Sequence, residues 1–260
     1  MASDVSFIGL AASAILVAVA ALLSWREGLG LERPIIWAAL RAVSQLLLVG
    51  LALTLVLDPK SPMILAWLWV VAMLLFAADV VRRRAPMVPG MFTLALASFA
   101  AAAVVTLGVL FGLGVFPLEA RALVPLAGMM VGNSMTGTVL ATRRFVDDLA
   151  DKRDEVEARL ALGLDSRQAA RPYAVRALRS AMTPQIETTK AVGIVFLPGA
   201  MTGLILAGVA PIDAVRVQAV VMYLILGAVA TTTAVVMLGL VRRLFTSDHR
   251  LISLQRPDEG

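Results

Sequence analysis

Apolar positions in this chain come in long unbroken runs. Seven stand out, at about 5–23, 35–57, 63–81, 90–114, 122–142, 190–210 and 214–240. Crossing roughly 30 Å of hydrocarbon as an α-helix takes about 20 residues, so each run is predicted to be a membrane-crossing helix. No stretch alternates apolar and polar side chains as a half-buried strand would. The expected fold class is therefore all-α: a polytopic helical membrane protein of about seven transmembrane helices, forming one transmembrane domain over 1–260. Only a few residues around Pro211 separate the last two runs, which predicts an antiparallel hairpin. No internal repeat is evident.

One long polar segment interrupts this pattern, residues 143–190 between the fifth and sixth runs, with ten Lys/Arg and eight Asp/Glu. In its first part Phe145, Leu149, Val156 and Leu160 fall on one helical face. Gly163 is placed to end that helix. Asp165 followed by Gln168 suits the start of a second one. The second helix would pack through Ala169, Tyr173, Ala177 and Met182, with a bend or interruption at Pro172. Two amphipathic helices under a membrane domain often lie on headgroups. Here Asp147, Asp148, Asp151, Asp154 and Glu155 would be repelled by anionic lipid, so docking to a protein fits better. The polar tail, 244–260, is expected to fray or to lie at the headgroups.

Composition agrees. The chain is 60% hydrophobic and only 16% charged, with a mean hydropathy of +0.88, far beyond what a soluble interior can hide. The net charge of +5 reflects topology rather than nucleic acid. With the N-terminus outside, 19 Lys/Arg fall in inner segments and three (Lys60, Arg121, Arg216) in outer ones, with Arg41 inside the second run. The positive-inside rule then predicts N-terminus out and C-terminus in. The only charge before the first run is Asp4, unlike the basic start of a signal peptide. Cysteine is absent, which excludes disulfides and thiolate chemistry, and the one histidine, His249, lies in the tail.

Polar groups in hydrocarbon ask for a partner or a pathway. Arg41, Ser44 and Gln45 share a face of the second run. Either Arg41 snorkels to the interface, or Arg41 and Gln45 face a cavity or a neighbouring helix. In the fifth run Gly128 and Gly132 form a small-xxx-small pair beside Asn133, Ser134, Met135 and Thr136; helix packing and cavity lining both suit it. In the sixth, Pro198 and Gly199, followed by Met201 and Thr202, predict a kink or break at mid-membrane. Such breaks border substrate sites in transporters, though a plain packing kink has the same signature. Asp79 lies three and four residues before Arg82 and Arg83, at ion-pair spacing. No phosphate-cradling G-x-x-x-x-G-K-[ST], no H-E-x-x-H and no G-x-S-x-G occurs. The runs lack a carboxylate pair for an ion relay, so energy for uphill transport is expected from another polypeptide.

Glu157-Ala158, Gly163, Ser166, Gln168 and Arg171-Pro172 together resemble the coupling loop of ABC transporter permeases. Adding Arg41-Ala42, Gln45-Leu46, Asn133-Ser134-Met135 and the stretch Leu197 to Gly208 followed by Pro211, the chain resembles the FetB-type (UPF0014) permease family over about 35–240. That family includes bacterial iron-export permeases and plant aluminium-tolerance membrane proteins. It usually has Met where this chain has Ala200. The resemblance implies a non-catalytic permease subunit, paired as a homodimer in a bacterial inner membrane, exporting a metal ion (iron) or a small molecule. It would bind no cofactor itself; ATP and magnesium would sit on a separate ATP-binding subunit that docks on 143–190, and nucleic acid would not be a partner. Glu157, Ala158, Gly163, Ser166, Gln168, Arg171 and Pro172 would couple to that subunit. Arg41, Gln45, Asn133, Ser134, Met135, Pro198, Gly199, Met201 and Thr202 would line the path. The spans supply almost none of the hard or nitrogen ligands iron favours, so a metal site is not assigned. A stand-alone channel or secondary carrier, or a scaffold recruiting a cytosolic protein without transport, remains the alternative.

Overall fold

The computed structural model describes residues 7–253, with backbone only at residues 7, 8, 10 and 11. The first two residues of the expected first run and the tail from 254 on, Arg256 included, lie outside the described residues. Nine helices make up the described chain: α1 (Phe7–Arg26), α2 (Glu32–Val56), α3 (Met63–Arg84), α4 (Met91–Gly112), α5 (Ala120–Asp151), α6 (Arg153–Ala161), α7 (Ser166–Ala191), α8 (Gly199–Leu206) and α9 (Pro211–Leu244). Five of them, α2, α3, α4, α5 and α9, are long and apolar enough to cross a membrane. They coincide with five of the seven predicted runs. α1 covers a sixth, with its apolar part at Ala12–Arg26.

Two compact units result. One carries α1 and α2 up to Pro62 together with Leu206–Gly208. In it the Ser24 hydroxyl closes the α1–α2 turn, accepting from the Leu31 N–H at 3.0 Å and donating to Glu32 Oε1 at 3.1 Å.

The other unit holds the remaining helices, with α5 and α9 at its centre and α3, α4 and α7 around them. In lipid, helices associate through close backbone approach rather than hydrophobic expulsion, and the core is built that way. Ala66, Ala77, Ala78, Ala95, Ala102, Ala127, Ala141 and Ala228 are almost completely buried. The tightest crossings are at Gly137, where a Cβ would meet Val229 Cγ1 at 2.8 Å, and at Gly239, where it would collide with Leu94. Gly132, half of the small-xxx-small pair in the sequence, has nothing within 4 Å, and Gly128 only Met73. Spacing alone does not reveal which face of α5 is turned toward a neighbour.

The sixth predicted helix, 190–210, is not continuous. α7 runs unbroken through Pro172 and Pro184 to Ala191, nine residues past the last position of its expected packed face. Residues 192–198 are non-helical, with Gly193 at φ +84°, and α8 is only eight residues long. Pro198 cannot donate a backbone hydrogen bond, and Gly193 stabilises the left-handed turn that breaks the helix. The chain nevertheless travels the length of α9. Ser166 lies beside Phe245 and His249, just past the C-terminal end of α9, whereas Pro211 begins it. Those ends are about 51 Å apart for 34 residues at 1.5 Å each. α7, the break and α8 together span that distance.

Over its described residues, up to 253, the tail folds back on the bundle. Phe245 pairs with Leu251 in an antiparallel bridge, and both side chains are buried. The Arg153 guanidinium of α6 donates to the Leu251 and Ile252 carbonyls at 3.3 and 3.4 Å. Apolar Phe245 and Leu251 amid a polar sequence are what fold the segment back.

Candidate functional site

The polar segment between the membrane spans forms a rigid projection. α5 continues to Asp151, two turns past its apolar run, and α6 follows after a one-residue break at Lys152. Phe145, Leu149 and Val156 are fully buried, as their shared face predicts. α6 ends in a Schellman turn: the Gly163 N–H donates to Leu160 O at 2.9 Å and the Leu164 N–H to Arg159 O at 3.2 Å, with Gly163 at φ +87°. α7 opens with a complete capping box, the Gln168 N–H donating to Asp165 Oδ1 at 2.7 Å and the Asp165 N–H to Gln168 Oε1 at 3.2 Å.

α7 is held on its underside by buried Ala169, Tyr173 and Ala177; Met182 is half-buried. Asp148 of α5 joins it electrostatically. This carboxylate, with a side chain only 9% exposed, lies 3.2 Å from Arg144 on its own helix and 3.4 Å from Arg176 on α7. Arg176 also sits 5.9 Å above the Tyr173 ring. Burial, and then the neighbouring Glu155 carboxylate, push the Tyr173 phenol above its usual range. Its Oη makes no hydrogen bond within 3.5 Å. Glu155 is held below the ordinary carboxylate range by the hydrogen bond from Arg159, at 2.9 Å, and then by Tyr173.

Of the coupling residues, Glu157, Ala158, Gly163, Gln168 and Arg171 are exposed and Pro172 is half-buried. Glu157 pairs with Arg153 at 2.7 Å. Ser166 faces inward: it is 8% exposed, and its hydroxyl lies 2.7 Å from His249 Nδ1. The apolar tip that the sequence pattern did not single out is Leu162, 83% exposed at the turn and followed by exposed Leu164. Its signal is a leucine pair straddling a helix-ending glycine, at a place where nothing of the chain itself covers it.

The residues expected to line a path are distributed differently. Arg41, Ser44 and Gln45 lie on α2 in the first unit, all exposed, with the Ser44 hydroxyl donating to Leu40 O at 2.9 Å. On α5 the adjacent residues Asn133 and Ser134 point to different surroundings. Asn133 is exposed and donates to Met129 O at 2.8 Å. Ser134 is buried. Met135 is half-buried between them in exposure. Ser134, Thr138 and Thr142 form a stripe four residues apart, all buried and none with a hydrogen-bond partner. The buried hydroxyls of Ser98, Thr106, Thr232 and Thr233, by contrast, all donate to their own preceding turns. Around the break, Met201 is buried, Pro198 and Thr202 half-buried and Gly199 exposed, and the Thr202 hydroxyl donates to Pro198 O at 3.1 Å. Within its unit, α8 packs extensively against no other helix.

A charged pair missed in the sequence sits just before the break. Glu187 and Lys190, 2.9 Å apart, are carried by the far end of α7 with Thr188 and Thr189. Arg176 is level with Asp148, and Glu187 lies eleven residues, about 16 Å, further along the helix. Read as part of a loop they are ordinary surface charges. Only the unbroken α7 carries them to the edge of the break, where both stay exposed. Among the described residues, no three His, Cys, Asp or Glu side chains come together as a metal site would require.

Five long apolar helices define a polytopic membrane protein. The chain belongs to the Uncharacterised protein family UPF0014, which it matches over residues 7–245. Its relatives include the rice UPF0014 membrane protein STAR2, 40% identical over 84% of this chain and 76% of that one. Protein ALUMINUM SENSITIVE 3 of Arabidopsis thaliana is 36% identical over 86% and 81%. The probable iron export permease protein FetB of Escherichia coli is 30% identical over 95% of this chain and 95% of that one. No solved structure matches.

Proposed function

We propose that the chain is the membrane permease subunit of an ATP-driven exporter whose ATPase is a separate polypeptide docking on α6, the Gly163 turn and α7. The projection carries this reading. It is rigid, capped at both ends of its turn, clamped to the bundle by Asp148 and to the tail by Ser166, and exposes an apolar tip at Leu162. A lever needs that stiffness, and the uncovered leucines offer a protein partner apolar surface to bury. The chain's own sequence has no phosphate-cradling loop to hold ATP. Force on α6–α7 would pass directly along α7 to the broken segment 192–198.

On this reading the N-terminus is outside, the C-terminus inside, and seven crossings result, the sixth made by the end of α7, the break and α8. Two copies would work with two ATPase subunits in a bacterial inner membrane. The relative named as a probable iron export permease supports a metal ion, iron among them, as cargo. The donors near the break, Thr202, Met201 and Glu187, equally suit a small polar molecule. The deciding experiment co-expresses the chain with candidate ABC ATPase subunits of its own genome and measures ATPase activity of the purified, reconstituted complex. Formation of a complex whose hydrolysis rises with ferrous or ferric iron is expected. Transport by the chain alone, without ATP, would overturn the proposal.

A further inference from the structure

Where α3 leaves its apolar run, the chain turns through Ala85–Gly90 into α4, and α5 passes alongside. Between them lies a cleft of about 400 Å³ whose lining includes Arg83, Arg84, Met87, Thr142, Arg143 and Asp147. Its floor is fixed. Arg143 Nε donates to Arg84 O at 3.2 Å, Arg243 of α9 donates to Pro89 O at 2.7 Å, and Ala85 and Val88 are each only 3% exposed. The cleft is thus preformed, not a gap between loose side chains.

Its electrostatics are lopsided. Arg83 pairs at 2.7 Å with Asp79, a carboxylate it shares with Arg82. The Arg84 guanidinium has no ion-pair partner among the described residues, and Arg143 bonds only a carbonyl. Arg83, Arg84 and Arg143 against the single carboxylate of Asp147 leave the lining net positive by two. Thr142 supplies an independent sign of a ligand: it is fully buried, lines this cleft, and its hydroxyl has no partner. A buried hydroxyl left unsatisfied is costly and rare. Thr138 and Ser134, one and two turns earlier on α5, are likewise buried and unpartnered, but of the three only Thr142 lines this cleft. A hydroxyl donor beside two guanidinia is the donor set that holds phosphate oxygens.

Depth names the source. Arg84 and Arg143 come directly after the apolar runs 63–81 and 122–142, so the cleft opens at the boundary between hydrocarbon and water. Phospholipid headgroups lie at that level, and basic pockets between helices there take anionic lipid. We propose that this cleft is a binding site for the phosphodiester headgroup of an anionic phospholipid, held by Arg84, Arg143 and the Thr142 hydroxyl.

The test uses the full-length protein, purified in mild detergent, stripped of lipid and titrated with dioleoyl phosphatidylglycerol or dioleoyl phosphatidylcholine. Bound lipid is counted by native mass spectrometry. Phosphatidylglycerol should be retained where phosphatidylcholine is not. Arg84→Gln should weaken its retention about fivefold. Thr142→Val should weaken it too while leaving the lipid-free melting temperature in place, which separates lost binding from lost folding. Arg216→Gln, at the opposite end of α9, should change nothing. Equal retention of both lipids, or an equal loss in Arg216→Gln, overturns the site. Displacement of phosphatidylglycerol by an equal concentration of inorganic phosphate overturns the lipid and assigns the cleft to the free anion.

Discussion

The Ser166 hydroxyl lies 2.7 Å from His249 Nδ1, and the Ser166 N–H points at the same nitrogen from 3.3 Å. A backbone N–H can only donate, so Nδ1 is the acceptor of that bond. The first residue of α7 is thereby tied to the tail that follows α9, across 83 residues of sequence. The chain's one histidine, which looks like tail chemistry in the sequence, closes the base of the projection.

Removal of this tie should loosen the projection without unfolding the bundle. His249→Ala is expected to lower stability by about 0.5–1.5 kcal/mol, the net worth of one hydrogen bond, and to expose 245–253 to limited proteolysis. Truncation after Leu244 removes Phe245 and Leu251 from their buried sites as well, and should abolish ATPase stimulation by the complex. A truncated protein with full stimulation would show that the tail does not hold the lever.

Gly163 should tolerate little. At φ +87° a side chain pays a steric penalty of about 1–2 kcal/mol. Gly163→Val should therefore destabilise α6–α7 more than Gly163→Asn, asparagine being the residue that best tolerates this conformation. Thermal melting ranks the two variants. Open space around Gly163 means that any difference comes from the backbone and not from a clash.

Asp148 bridges Arg144 and Arg176 from a buried position, whereas both arginines are about half exposed. Solvent weakens each pair, so Asp148→Asn should cost about 1–3 kcal/mol rather than the full price of a buried ion pair. The α7 amides near Arg176 should exchange with deuterium faster in that variant. Unchanged exchange there would argue that apolar packing through Tyr173 and Ala177 suffices.

At the α5–α9 crossing, Gly137→Ala would press a methyl to 2.8 Å from Val229 Cγ1. Overpacking of this kind costs about 1–3 kcal/mol. Val229→Ala in the same chain should recover most of it, and a double-mutant cycle on melting temperatures measures that coupling.

Two groups of the projection give stability opposite pH dependences. The Glu155 pKa is lowered in the fold, chiefly by its Arg159 bond, so its contribution is full above the ordinary carboxylate value and is lost as pH falls through the lowered one. The Tyr173 pKa is raised by burial, so stability holds below the ordinary phenol value of about 10 and declines as pH rises beyond it. Arg159→Gln should flatten the acid limb and Tyr173→Phe the alkaline one, both read from melting temperature against pH.

Length and apolarity were enough to place α2, α3, α4, α5 and α9, because a helix in lipid must satisfy every backbone group within itself and so writes its span into the sequence. The Gly163 turn and the Asp165–Gln168 capping box were legible for a similar reason: caps are made by neighbours in sequence. The break at 192–198 was foreshadowed by Pro198 and Gly199, but its limits were not, since α7 runs straight through two other prolines while it is packed on α5 and α9. Ser166 meeting His249, Arg176 meeting Asp148, the unpartnered Thr142 in a basic cleft and the separation of Asn133 from Ser134 are all long-range or face-dependent. A 3.6-residue period marks which residues share a face, but only the packed bundle decides what that face touches.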